Sequence, residues 1–131
     1  LTLSVCSRFS IAREAESPLQ ELTKEGFMEA QAQDIAKLND RYRGMCLDVF
    51  YTPGVRDGIM DLIGLSQAVE NFNHFTEDND PHGEHDFGSL RFEGKKIFWK
   101  IDYYDQDLKF WCDPLSRACR RTLTIMLAED Y

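Results

Sequence analysis

Ser89-Leu90-Arg91-Phe92-Glu93-Gly94-Lys95-Lys96-Ile97-Phe98-Trp99-Lys100-Ile101-Asp102-Tyr103-Tyr104 is the stretch whose pattern decides the fold class. Ile97, Trp99, Ile101 and Tyr103 alternate with Phe98, Lys100, Asp102 and Tyr104, the period-two pattern of a strand with one apolar and one mixed face. Glu93-Gly94-Lys95 separates this run from Ser89–Phe92 and predicts a hairpin of strands Ser89–Phe92 and Lys96–Tyr104. Beyond it, residues 105–119 contain Asp113-Pro114 and read as a loop. Thr122–Ala128 reads as a final strand, although its apolar run also suits a helix.

Upstream, residues 1–16 show no clear period and read as an irregular lead-in or a short strand. Ser17-Pro18-Leu19-Gln20 has the form of a helix start: Ser17 caps, Pro18 loses no needed donor, and Gln20 completes a capping box. Phe27, Gln31, Ile35, Leu38 and Tyr42 mark a buried stripe, with Gly44 as the stop. Met45–Thr52 reads as a strand running into a turn at Pro53-Gly54. Two short helices should follow, one carrying Val55, Ile59, Leu62 and Ile63, the other capped by Ser66 with Leu65, Val69, Phe72 and Phe75 inward. The expected fold is α+β, a three- or four-stranded, mainly antiparallel sheet with helices packed on one face.

The chain has 131 residues, 43% of them apolar, which suits a single domain that folds without metal or crosslinks. Its net charge of −8 argues against direct nucleic-acid binding, because phosphate contacts need a Lys/Arg surface. An acidic surface suits cations or a basic protein patch. No basic leader precedes a long apolar run, no membrane-spanning stretch occurs, and Cys6, Cys46, Cys112 and Cys119 lack metal or redox spacing. The expectation is a cytoplasmic protein with reduced thiols and no membrane association.

The segment richest in chemistry is Asp78-Asn79-Asp80-Pro81-His82-Gly83-Glu84-His85-Asp86-Phe87-Gly88, with four Asp/Glu carboxylates, two histidines and no basic residue. Such groups are left in water, paired, given a metal, or shifted in pKa for chemistry. His82, His85 and Asp86 offer ligands suited to zinc, manganese or iron, with Glu84 as a general base, the constellation of a small metal-dependent hydrolase. The competing reading is a structural network of capped turns and paired histidines, with no cofactor. Calcium is disfavoured because Ser89 stands where an EF-hand needs a bidentate Glu. A nuclease site from Asp86 and Glu93-Gly94-Lys95 is disfavoured because Gly94 marks a turn. A thiol nucleophile has little support, since Cys46 lies in an apolar run.

From about Leu38 to Tyr131 the chain resembles a small bacterial family of uncharacterised proteins, a domain of unknown function frequent on proteobacterial plasmids and mobile elements. The resemblance rests on Asn39-Asp40-Arg41, Thr52-Pro53-Gly54-Val55, Asn79 to Gly88, Phe98 to Asp105, and Leu123 to Glu129. It implies relatives but no activity. The leading expectation is a non-enzymatic interaction protein or inhibitor. Its acidic face would be built from Glu77, Asp78, Asp80, Asp102, Tyr104, Asp105 and Asp107, and would dock on the basic surface of a protein partner. The mobile-element association sharpens this to a modulator of a host nucleic-acid-handling or defence system, by one route through imitation of DNA charge. Phe98, Tyr104 and Trp111 add aromatic surface contacts to that face.

Overall fold

The computed structural model describes residues 24–45 and 48–131. The lead-in over 1–16, the helix start at Ser17-Pro18, and Cys6 and Cys46 lie outside the described residues. In chain order the elements are α1 (Lys24–Met45), β1 (Val49–Tyr51), α2 (Pro53–Gly58), α3 (Leu62–Glu70), β2 (Phe87–Phe92), β3 (Lys95–Tyr104), β4 (Arg120–Leu127) and a short 3-10 turn over Ala128–Asp130. The four strands form one sheet in the order β1-β4-β3-β2. The β2/β3 and β3/β4 pairs are antiparallel, and β1 joins parallel to β4. The α+β architecture is as expected, with a mixed sheet.

The hairpin is tighter than its sequence suggests. Glu93 and Gly94 have φ of 51° and 76°, so the turn has two residues, both left-handed, and Lys95 already pairs with Phe92. Such a turn matches the twist of the flanking strands. At the other end β2 begins at Phe87, two residues before the expected start, because Phe87 and Gly88 pair with Lys100 and Trp99. The last strand is settled as β, since it is bonded on both sides, to β3 and to β1.

The helices depart more from expectation. Pro53 opens α2 instead of a turn, because the first helical position loses no hydrogen bond to proline. Helix α3 is capped by Asp61, whose side chain accepts from the Gly64 N–H at 2.9 Å, and Ser66 lies inside it. Glu93 reaches across to accept the N–H groups of Met60 and Asp61, both at 2.9 Å, which holds its carboxyl below the ordinary range. Helix α1 runs through Gly44 to Met45, and Phe27 is exposed. Its buried residues are Ile35, Ala36, Asn39, Tyr42 and Arg43, so two polar side chains occupy positions of the inward stripe.

The core forms where all three helices meet one face of the sheet. Tyr42, Val55, Ile59, Leu65, Val69 and Phe72 pack on Ile97, Trp99, Ile101, Leu123, Ile125 and Leu127. Trp99 is fully buried and its indole lies against Gly88, where an added Cβ would collide with the ring. Gly88→Ala is therefore expected to cost about 1–3 kcal/mol, as overpacking does. Gly44→Ala, whose new methyl meets nothing within 4 Å, should be neutral or stabilising. Urea unfolding of both variants checks the contrast.

Candidate functional site

Helix α1 presents Asn39, Asp40 and Arg43 to the loop between α3 and β2. Asn39 is fully buried. Its amide nitrogen donates to the Glu84 carbonyl and to the Tyr103 hydroxyl oxygen, both at 2.9 Å, and its amide oxygen accepts from Arg121 Nε at 2.6 Å. Arg121 in turn lies over the Tyr103 ring, 5.3 Å from its centroid. Burial pushes the Tyr103 hydroxyl far above its ordinary range, so it remains a neutral hydrogen-bonding group.

The loop is organised about Asp80, which is 7% exposed. Its Oδ1 accepts from the N–H groups of Glu84 at 3.0 Å and His85 at 3.2 Å, and its backbone carbonyl accepts from Gly83 N–H at 3.1 Å. These bonds close a tight turn through Gly83 (φ 69°) and His85 (φ 57°), left-handed positions where non-glycine residues carry strain. Asn79 steadies the turn before it, accepting from Thr76 N–H and donating to the His74 carbonyl.

His85 is clamped from three directions. Its ring stacks on Phe75 with centroids 3.8 Å apart and planes 1° from parallel. Nδ1 lies 3.0 Å from both oxygens of Asp40, and Nε2 lies 3.8 Å from Asp80 Oδ2. An ionised carboxylate only accepts, so the Asp40 contact places a proton on Nδ1. Arg43 closes the assembly beneath: Nη2 donates to Asp40 Oδ1 at 3.2 Å and to the Phe72 carbonyl at 2.8 Å, while the guanidinium sits 4.7 Å from the Trp99 ring centroid. Burial pulls the Arg43 pKa down, and Asp40 opposes that shift.

The outer side of the loop is different. Asp78, Asn79, Pro81, His82, Asp86, Phe87, Lys100, Ile101, Asp102 and Tyr131 line an open groove of about 420 Å³. Burial raises the Asp86 carboxyl above its ordinary range, helped by the neighbouring charge of Asp80 and Asp102 and opposed by its own backbone N–H and by His82. Glu84 is raised for the same leading reason, with Asp86 as its first charged neighbour, although Tyr103 and His82 pull the other way. Lys100 Nζ pairs with Asp102 at 3.2 Å.

The residues expected to form a site are thus divided. His82 and Asp86 share the groove; His85 faces Asp40 and Asp80 instead. Among the described residues no group of three or more His, Cys, Asp or Glu side chains is arranged to hold a metal ion. Of the acidic face, Glu77, Asp78 and Asp107 are exposed, and Asp102 lines the groove, but Asp80 is buried in the turn and is not available to a partner. Asp105 accepts from the Lys109 N–H at 2.9 Å and so holds its own turn, and Tyr104 sits on β3 opposite Arg120. Cys119 lines a separate concavity with Arg41 and Arg120, and burial raises its thiol. Glu93, spent on the Met60 and Asp61 amides, is not a partner of Asp86 in a nuclease site.

A family model described as a protein of unknown function (DUF3768) matches residues 51–130, more than half of the chain. The chain belongs to the DUF3768 family. No curated protein and no solved structure matches it. The block Asn79–Gly88 lies wholly inside the DUF3768 match, whereas α1, which supplies Asn39, Asp40 and Arg43, precedes it. Among the described residues no helix is long and apolar enough to cross a membrane.

Asn39, Asp40, Arg43, Arg121, Lys100 and Tyr131 escaped the sequence reading as site residues. A signal for Asn39 and Arg43 existed: they fall four and eight positions after Ile35, on the apolar stripe, where a polar residue needs a buried partner. Asn39→Ala would take a partner from the Glu84 carbonyl, the Tyr103 hydroxyl and Arg121 Nε and is expected to cost about 1–3 kcal/mol in urea unfolding. The raised carboxyls give a second expectation. A carboxyl whose folded pKa exceeds its unfolded value favours the folded state below the unfolded pKa and loses that contribution as pH rises through the folded one. Asp86→Asn should therefore raise the melting temperature at pH 7, with the gain vanishing toward pH 4, as thermal scans across that range will read.

Proposed function

We propose that this protein is a non-enzymatic binding module whose acidic groove docks a basic segment of a partner protein. The reading is carried by the groove's charge. Asp78, Asp86 and Asp102 line it against a single lysine, and that lysine is spent on Asp102. The raised carboxyl of Asp86, which lines the groove, is the one an incoming guanidinium or ammonium would relieve, so binding gains from removing a cost already present. Phe87 and Tyr131 at the rim, with ring centroids 5.8 Å apart, offer faces for cation–π contact.

Gathering of carboxylates about one groove favours recognition of individual cationic side chains over imitation of the evenly spaced charges of a duplex. A basic surface on a host nucleic-acid-handling or defence protein remains the partner class that the acidic composition suggests. A metal-dependent hydrolase using His82, His85 and Asp86 with Glu84 as base has less support, because both ring nitrogens of His85 face carboxylates already.

Titration of the ¹⁵N-labelled protein with a peptide of alternating Arg and Ser tests the proposal. Amide shifts should concentrate in residues 78–87 and 100–102, weaken steeply with salt, and fall in an Asp86→Asn/Asp102→Asn variant. Equal shifts around the exposed Glu25, Glu29 and Asp34 of α1 would mean unspecific attraction and would sink the reading.

A further inference from the structure

We infer that the partner segment is extended and carries, beside its basic residue, an apolar residue that seats on Trp111. This rests on the groove reading above and adds a second anchor to it. Trp111 is 70% exposed and neighbours Phe110, 71% exposed, a pairing of large aromatic surfaces that water does not favour.

The position of Trp111 is set by the sheet. Strand β2 begins at Phe87, opposite Lys100, and beyond the Ile101 N–H, which donates to the Asp86 carbonyl at 2.8 Å, the last part of β3 loses that neighbour. The chain returns there through the isolated antiparallel bridge Tyr104↔Trp111 and the Cys112 N–H donating to the Tyr103 carbonyl at 3.4 Å. Bridge partners point to the same face of a sheet, and residues two apart along a strand share a face. Trp111 therefore stands on the face of Tyr104, Asp102 and Lys100, opposite the helices that cover Trp99 and Ile101.

That face then has a fixed layout. Phe87, Phe98 and Tyr131 cluster at one end, with ring centroids 5.1 to 5.8 Å apart. The acidic groove lies beside them, and Trp111 stands four residues farther along β3 than Lys100. At about 3.3 Å per residue the two anchors are roughly 13 Å apart. An extended peptide spans that distance in four residues with both side chains on one face, so a basic residue in the groove places its fourth neighbour on Trp111. Charge complementarity sets the first contact and an exposed aromatic the second, the combination found where a few residues dominate a binding interface.

The protein provides its own reporter. It has two tryptophans, Trp99 fully buried and Trp111 exposed, so acrylamide quenching of the native protein reads Trp111. The probes are the blocked pentapeptide Arg-Ser-Thr-Ser-Leu, its reversed sequence, and versions with Leu replaced by Ser. One of the two Leu peptides should protect Trp111 from acrylamide and bind about fivefold more tightly than its Ser version, an advantage that disappears in Trp111→Ala. Groove amide shifts with no protection of Trp111 and no preference for Leu would overturn this inference and leave the acidic groove intact. Absence of binding by every peptide would overturn the groove reading and this inference together.

Discussion

Burial of Trp99 is the constraint on which the rest depends. Its indole lies against Gly88 of the neighbouring strand, meets Phe72 and Phe75 edge-on at 5.5 and 6.1 Å, and lies under the Arg43 guanidinium. One side chain thus ties β2, the segment after α3, and helix α1 to the sheet. A large aromatic gives that joint both area and direction, since edge-on rings and a stacked guanidinium have preferred geometries that aliphatic packing lacks. The short β2 is fixed by the same contact, because only glycine lets it approach the ring.

Above the indole the protein builds polar structure instead of more core. Arg43, Asn39 and Asp80 are all buried; Arg43 reaches the Phe72 carbonyl besides Asp40 of its own helix, Asn39 reaches Tyr103, Glu84 and Arg121, and Asp80 holds Glu84 and His85 within its own loop. Such a network contributes little net stability, because desolvation offsets most of the Coulombic gain. Its consequence is geometric. Hydrogen bonds with defined directions select a single seating of α1 and the loop, whereas apolar packing alone tolerates small slides. The left-handed backbone at Gly83 and His85 is held in place by the Asp80 bonds and by the ring stack on Phe75, interactions sufficient to oppose a strain of about 1–3 kcal/mol.

Local pattern carried the fold well and the site only halfway. The alternation from Ile97 to Tyr103 named the buried face of β3 correctly, because strand period and burial are both properties of neighbouring residues. The Thr52-Pro53-Gly54 segment misled, since proline and glycine serve a helix start as readily as a turn. The loop 78–88 was visible as unusual, and the choice between a metal and a paired histidine was not. That choice is made by Asp40, whose position opposite His85 is set by α1 packing across a separation of 45 residues. The polar residues on the α1 stripe were the available hint, and an amphipathic reading that looks only for apolar positions passes over them.

The loop ends up with two chemically opposite sides, and the contrast bears on what it is for. Asp80 and His85 face inward, where Asp80 Oδ1 holds the Glu84 and His85 N–H groups and His85 Nδ1 meets Asp40, so their removal would damage the fold. Asp86, at the groove, is a partly buried carboxyl whose ionisation is disfavoured first by desolvation and then by Asp80 and Asp102, and neighbouring Glu84 is disfavoured by desolvation and by Asp86. A structural network gains nothing from such a pair, since amides of the same shape would hydrogen-bond without repulsion. Positions that lower stability without a structural return are where natural proteins place function. An inward side that fixes the backbone and an outward side that keeps destabilised charge at a groove are together the arrangement that recognition of a cation requires: a rigid frame, and carboxylates left for the ligand to neutralise.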